Sequence, residues 1–171
     1  YAFLTIISSV VYGVVFSYFT ILRNTSFFSA AWDLGNFNQA FCTTLYDGRL
    51  FYYTADLFFS SSGSVFAIHT SPILFLLVPF YAISPSPETL LVLKAFGIGL
   101  AAVPLYLLSK QLLKSSKAGF VIALIYLLYA PLQGANWFDF QLSAFLPLFI
   151  LMSYYFMVNK NWKLYFPAIL L

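Results

Sequence analysis

Five carboxylates, a single histidine and one lysine set in an apolar run are the side chains of this 171-residue sequence whose types and spacing can do chemistry. Asp33 stands in Trp32-Asp33-Leu34-Gly35-Asn36. A carboxylate there can take a proton from an acceptor hydroxyl or ligate a metal. An Asp that opens a helix also serves as its N-cap, and the two roles can hold together. His69 lies in Ile68-His69-Thr70-Ser71-Pro72. It either hydrogen-bonds its own loop or, with a helix starting at Ser71 and Pro72, helps to hold an anion such as a lipid phosphate at that helix's amino end. Lys94 would cost about 2.5–3.5 kcal/mol at the centre of a membrane helix, less if it snorkels toward an end. It is read either as neutralising the phosphate of a lipid-linked donor or as pairing with Glu88 or a headgroup. Asp139, in Asn136-Trp137-Phe138-Asp139-Phe140-Gln141, sits at the mouth of a helix pair and can cap the following helix. Asp47 and Asp56 read as surface acids. No Asp-x-Asp pair occurs, so a divalent metal would need acids from separate loops. Asn24-Thr25-Ser26 matches a glycosylation acceptor.

The elements that must position these residues follow from composition. Hydrophobic residues make up 62% of the chain and charged residues 8%, where an ordinary soluble domain has about 25% charged. Mean hydropathy is +0.89. Eight Lys and Arg with five Asp and Glu cannot cover a soluble particle, and a disordered chain would lack the apolar content. The bilayer is the solvent this composition fits. A lone cysteine, Cys42, excludes an internal disulfide. The sequence has no phosphate-binding glycine loop, no zinc-spaced Cys and His cluster, no Gly-x-Ser-x-Gly elbow and nothing that suggests nucleic acid.

The expected fold is all-α and multi-pass, with a long extracytoplasmic first loop containing amphipathic and interfacial helices. Residues 2–22 form an uncharged first span, long enough for the ~20 residues that crossing requires. Residues 89–109, 118–135 and 140–158 give three more, and a fifth begins over 164–171. The apolar run 72–83 reaches only roughly 18 Å as a helix, which suits an interfacial segment better than a span. Charge decides the topology. With 72–83 interfacial, Lys110, Lys114 and Lys117 fall in a cytoplasmic loop over 110–117, and Lys160 and Lys163 in another over 159–163. The amino terminus is then cytoplasmic, the membrane the plasma membrane, and every acid lies outside, in the loop 23–88 or the short loop 136–139. Ser86-Pro87-Glu88 supplies an N-cap, a proline at the first helical position and an acid in the first turn. Residues 33–48 read as an amphipathic helix lying flat on the membrane, closed by Gly48, with Asn36, Gln39 and Thr43 as its polar line. The serine-rich residues 58–64 read as flexible. With no Met at Tyr1 and an apolar run still under way at Leu171, the sequence reads as part of a longer multi-pass protein.

The order of these features resembles the GT-C superfamily of membrane glycosyltransferases: a first span, a long loop opening with an acid, and a short helix after a His-x-Ser-Pro run. The next span then ends in Pro104-Leu105-Tyr106-Leu107-Leu108-Ser109-Lys110. More narrowly, Trp32-Asp33-Leu34-Gly35-Asn36-Phe37-Asn38-Gln39, Ile68-His69-Thr70-Ser71-Pro72-Ile73 and Phe138-Asp139-Phe140 resemble an uncharacterised family of predicted membrane proteins, DUF 2079, over nearly the whole length. The resemblance implies a transferase that takes a sugar from a polyprenyl-phosphate carrier on the outer face. Asp33 is then the first-loop acid, acting on the acceptor or a metal, and Asp139 the second-loop acid. Gln141 stands where the narrower family tends to place a histidine. Asn36, His69, Lys94, Asp139 and Gln141 are the implied substrate contacts. The rival is a transporter or flippase with Lys94, Glu88 and Asp139 along a polar path, or a non-catalytic scaffold. Only Lys94 enters a span while the other polar groups gather at one face, which favours surface chemistry.

Overall fold

A computed structural model describes residues 1–29, 32–55, 57–58 and 61–171. Asp56, with Phe59 and Ser60 of the serine-rich stretch, lies outside the described residues. The helices are α1 (Ala2–Thr25), α2 (Trp32–Tyr46), α3 (Ile73–Tyr81), α4 (Pro87–Leu100), α5 (Ala102–Leu113), α6 (Ser116–Leu127), α7 (Ala130–Trp137), α8 (Leu146–Val158) and α9 (Trp162–Leu170). Short 3-10 turns occupy Val65–Ala67 and Leu142–Phe145. No strand occurs among the described residues beyond an isolated antiparallel bridge between Tyr52 and Ser64.

Helix α1 is built inside out by the standards of water. Its buried side is Thr5, Ser9, Tyr12, Gly13, Ser17 and Thr20, while Phe3, Ile6, Val11, Val14 and Tyr18 face outward. The hydroxyls return to their own helix, Ser9 to the Thr5 carbonyl at 2.9 Å and Thr20 to the Phe16 carbonyl at 2.7 Å. Where lipid rather than water surrounds the helix, small residues go to the helix contact and aliphatics go outward. Among the described residues, α1 and the continuous Pro87–Leu113 are long and apolar enough to cross a membrane.

Helix α1 runs against α4 in the opposite direction, since Ser9 meets Gly99 and Asn24 meets Glu88. A Cβ on Gly99 would stand 2.8 Å from the Ser9 carbonyl oxygen, a backbone atom that cannot swing aside. Gly99→Ala is therefore expected to cost about 1–3 kcal/mol, the usual range for overpacking. Gly134→Ala, with nothing within 4 Å of the new carbon, serves as the control. Equal thermal midpoints for the two variants in detergent would remove this contact as a stability determinant.

Two spans depart from the sequence expectation, and a proline explains the first. The expected 118–135 span is broken: α6 and α7 meet at 47°. Pro131 has no N–H for the Leu127 carbonyl, and Gln133 Nε2 donates to that oxygen instead, at 3.3 Å. The second span stays continuous although Pro104 leaves the Leu100 carbonyl without its helical donor. The helix tightens there, with Ala101 N–H bonding the Ile98 carbonyl at 3.3 Å. The Tyr126 hydroxyl also donates to the Ile98 carbonyl, at 3.0 Å, tying α6 to that turn. The expected 140–158 span begins α-helical geometry only at Leu146, so Leu142–Val158 is shorter than a full crossing.

The expected helix at 33–48 ends at Tyr46, where Gly48 at φ +65° turns the chain and Arg49 N–H reaches the Thr43 carbonyl at 3.0 Å. It packs into a second core rather than presenting a whole face to lipid. Phe41, Phe51, Leu74, Tyr81, Leu90 and Phe140 are buried there together. Burial pushes the Tyr81 phenol up, so it stays protonated and donates to Asn38 Oδ1 at 2.6 Å. The far end of the serine-rich stretch is tied down: Tyr53 N–H reaches the Gly63 carbonyl at 2.9 Å and Ser64 Oγ the Leu50 carbonyl at 2.9 Å.

Candidate functional site

The ends of the bundle differ in charge. Asn159 Nδ2 donates to Gln111 Oε1 at 3.1 Å, which sets the α8–α9 turn beside the α5–α6 turn. Lys110, Lys114, Lys117, Lys160 and Lys163 are carried by these two turns and the helix ends flanking them. At the other end lie Asp33, His69, Glu88 and Asp139.

Asp33 occupies the first turn of α2. Its Oδ2 accepts a hydrogen bond from Gln141 Nε2 at 3.2 Å, joining residues 108 apart in sequence. Gln141 is extended, at φ −141° and ψ 141°, just ahead of the Leu142–Phe145 turn. It lines a cavity of about 490 Å³ with His69, Thr70, Ser71, Phe37 and Ser143. His69 is held by its backbone, whose N–H reaches the Val65 carbonyl at 2.8 Å, and its imidazole is exposed. Asn36 lies one turn beyond Asp33 and is half-buried, outside the residues that line this cavity. A second cavity, about 360 Å³, opens among α4, α7 and α8 and is lined by Ile98, Leu132, Phe138 and Pro147. Gln141 and Ser143 line both. Two largely apolar chambers, the one with His69, Thr70 and Ser71 the more polar, therefore adjoin at the residue that holds the Asp33 carboxylate.

Lys94 and Asp139 form a separate cluster. Lys94 is completely buried, and its ammonium donates to the carbonyl of Asn136 at 2.7 Å, to that of Phe138, and to that of Asp139 at 3.4 Å. Arg23 Nη1 donates to the Trp137 carbonyl at 2.8 Å and pairs with Asp139 Oδ1 at 3.2 Å. The physical reason is the end of α7. The last carbonyls of a helix have no intrahelical donors and carry its negative pole, and here two cations cover four successive carbonyls. Lys94 thus finds its partners inside the protein, and Glu88 accepts from Asn24 Nδ2 at 3.4 Å. Asn24, the potential glycosylation acceptor, also accepts from Ser29 Oγ at 2.7 Å, within the last turn of α1.

The structure therefore brings Gln141 and His69 to one chamber, with Asp33 bonded to Gln141 from outside its lining, and sets Lys94 and Asp139 behind the segment that carries Gln141. Sequence reasoning missed Arg23, whose signal was a lone arginine closing the first span opposite an acid that closes the third. It also missed Thr70 and Ser143, common polar residues with nothing in their local pattern to single them out. No group of three or more His, Cys, Asp or Glu side chains placed to hold a metal ion occurs among the described residues.

A family model described as predicted membrane protein (DUF2079) matches residues 23–171. No curated protein and no solved structure matches the chain.

Proposed function

This chain belongs to the DUF2079 family of predicted membrane proteins, and on that footing we propose that it is a GT-C-like glycosyltransferase moving a sugar from a polyprenyl-phosphate donor to an acceptor hydroxyl. The observation that carries the reading is the pair of adjoining cavities, one with the polar groups of His69, Thr70 and Ser71 in its wall, that share Gln141 and Ser143 beside Asp33. Such a pair suits an amphiphile whose chain lies among α4, α7 and α8 and whose head lies against His69, Thr70 and Ser71. The hydroxyl and imidazole groups there, with the start of α3, offer donors to a phosphate.

In the proposed reaction Asp33 accepts the proton of the acceptor hydroxyl, and the oxygen lone pair forms a bond to the anomeric carbon with inversion. The bond from that carbon to the phosphate oxygen breaks, and its electron pair leaves on the polyprenyl phosphate. Gln141 orients the carboxylate, Asn36 meets the acceptor, and Lys94 with Asp139 holds the segment from which Gln141 projects. We assign the Asp33 end to the extracytoplasmic side of the plasma membrane and the amino terminus to the cytoplasm, because the five lysines gather at the opposite end. A transport path along Lys94, Glu88 and Asp139 is disfavoured by the engagement of all three with protein groups.

The test supplies labelled polyprenyl-phosphate sugars to the protein in membrane vesicles. Label is expected to pass into an acceptor with at least one sugar. Label that stays on the lipid across a panel of sugars and crude acceptors would overturn the reading and leave transport or scaffolding.

A further inference from the structure

A third cavity lies outside the site above, and its chemistry points to a different ligand. It measures about 530 Å³ and is lined by Phe19, Leu22, Arg23, Ser26, Phe28 and Trp137. Phe19, Leu22, Phe28 and Trp137 are all exposed apolar side chains, so the groove has greasy walls and a single cation. It sits at the acid-bearing end of α1, the level at which aromatic residues meet headgroups.

Two observations bear on what the groove holds. Both hydrogen bonds of Arg23 use Nη1, and its Nε and Nη2 donors have no partner among the described residues. The cluster is also unbalanced. Arg23 and Lys94 carry two positive charges where Asp139 carries one negative, and Asp139 and Arg23 are the charges that act on Lys94. Charges withdrawn from water are paired or costly, and a guanidinium with a free fork matches a phosphate bidentately.

We propose that this groove is a binding site for an anionic phospholipid of the surrounding bilayer. Its phosphate lies on Nε and Nη2 of Arg23, and an acyl chain lies along Phe19, Leu22 and Trp137. The lipid supplies the negative charge that the cluster lacks. This site is separate from the cavities assigned to the sugar donor, and its occupancy does not depend on transferase activity.

The test uses fluorescence of Trp137 in a Trp32→Phe/Trp162→Phe background, both removed tryptophans being exposed. The full chain is reconstituted in phosphatidylcholine vesicles containing a graded fraction of either brominated phosphatidylglycerol or brominated phosphatidylcholine. Phosphatidylglycerol is expected to quench with about a fivefold lower half-saturating fraction, the worth of one basic side chain at an anionic surface. Arg23→Gln is expected to bring the ratio to about one. Because that variant leaves the Asp139 carboxylate without its arginine, Arg23→Gln/Asp139→Asn is measured beside it and should lose the preference too. Equal quenching by the two lipids in the parent overturns the proposal, as does a preference retained in the double variant. Inorganic phosphate replacing chloride at equal ionic strength should leave the ratio unchanged. Loss of the preference under phosphate would assign the site to a soluble anion and sink the lipid.

Discussion

Asp33→Asn is expected to lower sugar transfer by about 10²- to 10⁴-fold, the contribution of a positioned general base. Asparagine has the shape of aspartate, and its Oδ1 can still accept from Gln141 Nε2, so the 3.2 Å link between α2 and the 141 segment survives. What disappears is the capacity to take a proton. The measurement is the initial rate of label transfer in vesicles, wild type beside variant at matched protein content, with gel filtration in detergent to show that both are folded. A variant with the full rate removes Asp33 as base, whatever becomes of the activity itself. Gln141→Leu makes the companion measurement: it leaves the carboxylate and removes the group that aims it. A smaller fall than in Asp33→Asn is expected, and it should come in kcat rather than in KM.

Lys94→Met is expected to destabilise the protein by about 1–3 kcal/mol or more, because it leaves buried carbonyl acceptors without their donor. The methionine fills the same volume without a polar atom, so packing is nearly kept. The carbonyls of Asn136, Phe138 and Asp139 lose their common donor in a place from which water is excluded. Each buried acceptor left without a partner costs about 1–3 kcal/mol. Lys163→Met, at an exposed lysine, is the control and should lie within about 0.5 kcal/mol of the parent. Thermal midpoints in one detergent decide the matter, and a Lys94→Met protein as stable as its control would show that the clamp contributes nothing. Loss of Lys94 should also loosen the segment that ends in Gln141, so transfer activity should fall at temperatures where the variant is still folded.

Much of this protein is legible in its sequence because the relevant forces act along the chain. The bilayer selects apolar runs by their transfer free energy, so 2–22 and 89–109 are recognisable from composition and correspond to Ala2–Thr25 and Pro87–Leu113. Ser86, Pro87 and Glu88 start a helix by bonding and charging their own next turn, and Ser86 Oγ accepts from Thr89 N–H at 3.4 Å. Asp33, His69 and Gln141 are visible as polar groups in an apolar sequence. The bond of Gln141 to Asp33 beside the chamber that Gln141 shares with His69 is not, because it joins positions 108 residues apart. The break at Pro131 was open to sequence reasoning, but its depth was not: an unbonded Leu127 carbonyl is tolerable only because Gln133 turns back to it. The partners of Lys94 lay furthest from view. A lysine in an apolar run announces that it must be satisfied, and the sequence by itself determines that demand. Which atoms satisfy it depends on the crossing of α4 with the end of α7, which sets the ammonium beneath carbonyls that no helix uses. Contacts between helices depend on packing geometry accumulated over the whole bundle, so only the tertiary structure decided them.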